Sequence, residues 1–86
     1  MPRVSEFFGI AIYLYYRQHE PPHFHAHYGG EQAEIGIEDN SVLRGRLSPR
    51  AMGLVTEWAT LHREDLRRAW DQTRSHRPPD PIEPLR

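Results

Sequence analysis

His23-Phe24-His25-Ala26-His27-Tyr28-Gly29-Gly30-Glu31-Gln32-Ala33-Glu34-Ile35 reads as a β-hairpin, and the fold follows from it. Phe24, Ala26 and Tyr28 alternate with His23, His25 and His27, the two-residue period of a strand with one apolar face. Gly29-Gly30 can take the positive φ that tight hairpin turns demand. Residues 31–38 then return as the partner strand, with Ala33, Ile35 and Ile37 on the apolar side. If the two glycines are the whole loop, Phe24 faces Ile35, Ala26 faces Ala33, His25 faces Glu34 and His27 faces Gln32. Each face is then chemically uniform, and a slip of one residue would mix them. This register directs the imidazoles away from the hydrophobic layer and sets the Cβ atoms of His25 and Glu34 about 4.5–5.5 Å apart.

Upstream of the hairpin, Pro21 and Pro22 interrupt any ladder because neither has an N–H to donate. Residues 10–16 are rich in β-formers, with Ile10, Ile12 and Leu14 on one side and Ala11, Tyr13 and Tyr15 on the other. Residues 2–8 form a weaker first strand that ends at Gly9. Downstream, Asp39-Asn40-Ser41 is a turn. Residues 42–47, interrupted by Gly45, make a short fifth strand. Ser48-Pro49 reads as an N-cap followed by proline at the first helical position. From Pro49 to about Ser75 the apolar residues recur at helical spacing: Ala51, Leu54, Val55, Trp58, Leu61, His62, Leu66, Ala69 and Trp70 share one stripe. One uninterrupted helix fits this pattern; a break near His62 is the alternative. The expected fold class is α+β: an antiparallel sheet of four or five strands with one long helix packed on one face. Residues 1–76 make a single domain, and 77–86 a proline-rich tail, partly ordered, with Ile82 and Leu85 as its large apolar groups.

With 86 residues the chain has room for one small core, and self-association is an available source of further stability. A net charge of −1 gives no electrostatic case for nucleic acid. The absence of cysteine excludes disulfides and thiolate chemistry. Glu6 and Gly9 break the early apolar residues, so the N-terminal segment does not read as a secretory leader. The apolar run from Ile10 to Tyr16 is too short to span a bilayer. A cytoplasmic location is the expectation.

Four of the six histidines lie within the nine residues from His19 to His27. Imidazole is both a common metal ligand and the side chain that exchanges protons near neutral pH. A His-x-His pair on a strand can offer two nitrogens to one divalent ion, so His23, His25 and His27 are the candidate metal ligands. His19 or Glu34 could complete the set. Without a metal, His23, His25 and Glu34 are candidates for acid–base catalysis, with phosphodiester cleavage of RNA the natural reaction and Arg17, Arg44 and Arg46 the nearby cations. The bland alternative is a solvated histidine face. Trp58 and Trp70 are read as packing between helix and sheet, with Trp70, near the margin of the stripe, a candidate interface residue.

The residues His19, Pro21, Pro22, His23, Phe24 and His25, together with Leu43-Arg44-Gly45-Arg46-Leu47, Trp58-Ala59-Thr60-Leu61-His62-Arg63-Glu64 and Trp70, resemble the bacterial family called domain of unknown function 4160. That resemblance implies a short bacterial protein without an assigned activity. It implies a gene neighbour from another small family, domain of unknown function 2442, in a toxin–antitoxin-like pair. The family pattern favours an acidic residue where this chain has His27, and does not include Glu34. The functional expectation is therefore a small interaction module that binds a small protein partner. The alternative is a histidine- or metal-dependent ribonuclease using the His23/His25 face.

Overall fold

The alternating segments of the first half pair in chain order. In the computed structural model, which describes residues 2–86, the strands are β1 (Arg3–Phe7), β2 (Ile10–Tyr13), β3 (His23–Tyr28), β4 (Glu31–Gly36) and β5 (Val42–Arg46). They form one five-stranded antiparallel meander in the order β1-β2-β3-β4-β5. The central hairpin has the expected register, with Phe24 opposite Ile35, His25 opposite Glu34, Ala26 opposite Ala33 and His27 opposite Gln32. Of the two turn glycines only Gly29 takes positive φ, at 58°. One face of the sheet is largely apolar: Ile10, Ile12, Leu14, Phe24, Ala26, Ala33, Ile35 and Ile37 are all buried.

The helical half differs from a single rod. α1 (Pro49–Leu61) and α2 (Arg63–Arg74) are separated at His62, whose φ of −117° and ψ of 29° lie outside the helical range. His62 turns its ring against Trp58, with centroids 5.8 Å apart, and its Nδ1 lies 3.3 Å from Asp65 Oδ2. Glu64 and Asp65 then open α2, where acidic groups suit the positive end of a helix dipole. The bend has a structural consequence. α1 lies on the apolar face of the sheet, where Trp58 meets Phe7 at 5.4 Å and Phe24 at 5.8 Å between ring centroids. α2 instead crosses the end of the sheet where β3 begins and β4 finishes. Arg63 donates to Ile37 O, Arg67 pairs with Glu38, and Arg74 pairs with Glu20.

The proline-rich tail docks. Ile82 and Leu85 are buried, Ile82 N–H donates to Val4 O, and the Trp58 indole N–H donates to Glu83 O. The tail thus lies against β1 and α1. Among the described residues, no helix is long and apolar enough to cross a membrane.

Candidate functional site

With α1 and the tail on one side, the other side of the sheet carries Tyr13, Tyr15, His25, His27, Gln32, Glu34, Arg44 and Arg46. Cross-strand pairing sets these together: Tyr13 faces His25, His25 faces Glu34, Glu34 faces Arg44, and Gln32 faces Arg46. Rings line up across this face. Tyr13 stacks near Tyr15 at 6.1 Å, Tyr13 meets His27 at 4.8 Å, and Tyr15 meets His25 edge-on at 4.4 Å.

The expectation that all three imidazoles project away from the hydrophobic layer is corrected at His23. This ring is only 5% exposed. Because α2 crosses the sheet end, the Trp70 ring packs against His23 with centroids 5.3 Å apart. Trp70, a candidate interface residue by its place on the stripe, is itself 4% exposed in this chain. His25 and His27 do project from the free face, each half-buried.

Four polar atoms converge where β3 begins. The Nδ1 of His23 lies 2.8 Å from Pro21 O, a bond in which the ring nitrogen must donate. In a neutral ring this leaves Nε2 as the lone-pair nitrogen, a tautomer inferred from the carbonyl partner. That Nε2 lies 3.0 Å from Gln18 Oε1 and 3.7 Å from Glu34 Oε1. The Nε2 of His25 lies 3.4 Å from the same Gln18 oxygen. One ligating atom from each of His23, His25 and Glu34 falls within 4.8 Å of the others. His27 is not in this group; its ring lies against Tyr13, tilted at 46° to it. His19 is exposed and lines the neighbouring groove without joining the cluster.

Two grooves flank the cluster. Tyr15, His25, Gln32 and Gly45 line one, and Gln18, His19, Pro21, His23 and Leu43 line the other; Glu34 and Arg44 belong to both. Gln18 is the residue that reading the sequence missed. It sits in the irregular loop before Pro21, where no period marks which way a side chain points. Arg17, suggested as a phosphate-binding cation, instead lies beside Tyr16 and His76, outside both grooves.

Burial, the largest influence, lowers the pKa of His25 to about 4; Glu34 acts against this, while His23 and His27 add to it. The imidazole is neutral at pH 7, so it can act as a base or ligand there but not as a proton donor of the imidazolium kind. The unfolded chain takes up this proton near pH 6.5 and the folded chain only near pH 4. Between those values the unfolded state binds more protons, so acid favours unfolding. The urea midpoint of EDTA-treated protein is expected to hold steady above about pH 6.5 and to fall towards pH 4. His25→Gln should flatten that slope; an unchanged slope would show that His25 is not the group responsible.

A sheet with one face helix-covered and one face free, carrying two imidazoles and a carboxylate at one end, defines a small α+β protein whose side chains suit coordination or acid–base chemistry. The chain belongs to the family described as Domain of unknown function (DUF4160), whose model matches residues 9–71. That span runs from before β2 into α2 and includes Gln18, His23, His25, Glu34 and Arg44. No curated protein and no solved structure matches the chain.

Proposed function

We propose that this protein is an interaction module, one component of a toxin–antitoxin-like pair, which binds a small protein partner by adding the partner's strand to β5. The observation that carries this reading is the contrast between the two margins of the sheet. At β1 the chain's own tail is docked through Ile82 and Val4. At β5 all five residues are exposed, including Val42 at 47% and Leu43 at 41%. Half of the backbone N–H and C=O groups of such a strand point away from β4 and offer a template for another strand.

Charge selects the occupant. Arg44 and Arg46 stand on the free face of β5, and among the described residues neither is in an ion pair. Two β5 strands side by side would bring arginines from both copies together, which opposes self-pairing. An extended segment with acidic side chains relieves that repulsion. Backbone bonding of this kind supplies affinity, and alternate side chains supply specificity. The family resemblance points to a protein of the domain of unknown function 2442 family as that partner.

Co-expression with that protein from the same genome, followed by size-exclusion chromatography, tests the proposal. The two chains should elute together at micromolar concentration, and the double variant Arg44→Glu/Arg46→Glu should separate them. Two separately eluting wild-type proteins would remove the proposal.

A histidine- or metal-dependent ribonuclease is the second reading, supported by the pairing of His25 with Glu34 and by the two grooves that share Arg44. Replacing both His23 and His25 by Ala should then abolish RNA cleavage; full retention would exclude them from any such reaction.

A further inference from the structure

We infer that His23, His25 and Glu34, with the Gln18 side-chain oxygen as a fourth donor, form a binding site for one divalent first-row transition ion. The inference stands on the placement of donor atoms and does not depend on the partner proposed above.

Ligand atoms at about 2.0–2.2 Å from a tetrahedral ion lie roughly 3.3–3.6 Å from one another. Three of the six donor separations bracket that edge: 3.0 Å and 3.4 Å from Gln18 Oε1 to the two Nε2 atoms, and 3.7 Å from His23 Nε2 to Glu34 Oε1; the histidine and glutamate donors all lie within 4.8 Å of one another. The atoms also face one another with the wrong polarity for hydrogen bonds. His23 already donates through Nδ1 to Pro21 O, so its Nε2 presents a lone pair to the Gln18 carbonyl oxygen. With this tautomer and this amide orientation two acceptors are in contact, one of them on a ring only 5% exposed, and a cation between them, a metal ion or a proton, removes the repulsion.

The surroundings hold the rings as a metal site requires. A backbone carbonyl on the far ring nitrogen is the usual support of a ligating histidine, because it sets the tautomer and the orientation. Here Pro21 O supplies it for His23, and Trp70 packs on the ring. Tyr15 stands edge-on to His25. Two nitrogens and two oxygens without thiolate favour zinc, cobalt, nickel, iron or manganese over magnesium and calcium. The grooves on either side leave the ion open to water or to a small ligand.

The test uses the full chain, purified without a histidine tag and stripped with EDTA, titrated with zinc chloride by calorimetry and with cobalt chloride by visible absorption. One ion per chain is expected, with the intense visible bands of a cobalt ion in a low-coordinate nitrogen–oxygen site. His25→Ala and Glu34→Gln should each weaken zinc binding more than about tenfold, since each removes a ligand rather than a supporting group. His27→Ala should leave it unchanged. Thermal melts of the metal-free variants separate lost ligands from lost fold, and Glu34→Gln preserves shape where the histidine variant does not. If the Gln18 amide is turned so that its NH2 donates to the rings, no ion is needed and wild type will show no zinc binding tighter than a Kd of roughly 100 µM. That result, or equal weakening by His27→Ala and His25→Ala, overturns the inference.

Discussion

Trp58→Ala is expected to lower the stability of the domain by about 3–5 kcal/mol, the usual range for deleting a buried indole. Trp58 is fully buried. It joins three parts of the structure: its ring meets Phe7 and Phe24 on the sheet and His62 at the helix bend, and its N–H holds the tail at Glu83 O. A domain of this size is stabilised by roughly 0.05–0.15 kcal/mol per residue, so the loss takes a large share of the total. Thermal melting followed by circular dichroism should show the midpoint lowered by more than about 12 °C, or no cooperative transition. Trp58→Phe, which keeps one aromatic ring but loses the rest of the indole and the bond to the tail, should cost less, about 1–3 kcal/mol. Equal effects from the two variants would show that the packing of the retained ring contributes little.

The second large effect is expected at Gly45. Its φ is +77°, and a Cβ built there would lie 2.2 Å from Gln32 O on the neighbouring strand. Gly45→Ala therefore meets a backbone strain and a backbone clash at once, and β5 has to move away from β4. The expected cost is about 2–3 kcal/mol. The damage should be local, because β5 buries little and the core lies under β2, β3 and β4. Amide exchange in 42–46 should quicken while α1 keeps its protection, and co-elution with the partner should be lost. Retained β5 protection would mean that the strand accommodates the methyl group, contrary to this geometry.

Much of this fold was legible in the sequence because the central hairpin is self-consistent at two levels. The two-residue period sorts Phe24, Ala26, Ala33 and Ile35 to one face, and the glycine pair pins the register that keeps them there. The juxtaposition of His25 and Glu34 followed from the same arithmetic. The break at His62 was harder to place, since the apolar stripe continues through it in Leu61, Leu66 and Ala69. The local signal is the acidic pair Glu64-Asp65, which suits the start of a helix better than its middle. That bend decides the fate of His23. A straight helix would have stayed on the apolar face, whereas α2 carries Trp70 round the sheet end onto the imidazole. Gln18 was beyond reach for a different reason: its loop has no period, and its side chain is aimed by tertiary contacts with His23 and His25. His27, equivalent to His25 by alternation alone, lies one strand repeat further from His23, beside Tyr13.

The claim on which the functional account rests is that β5 is the docking strand, and amide hydrogen–deuterium exchange measures this most directly. The full chain is compared alone and with an equimolar amount of a 2442-family protein, the proposed partner. The account predicts slower exchange at the amides of 42–46, with β1 and the tail unchanged. Protection at β1 and the tail with none at β5, or no change anywhere, would contradict it.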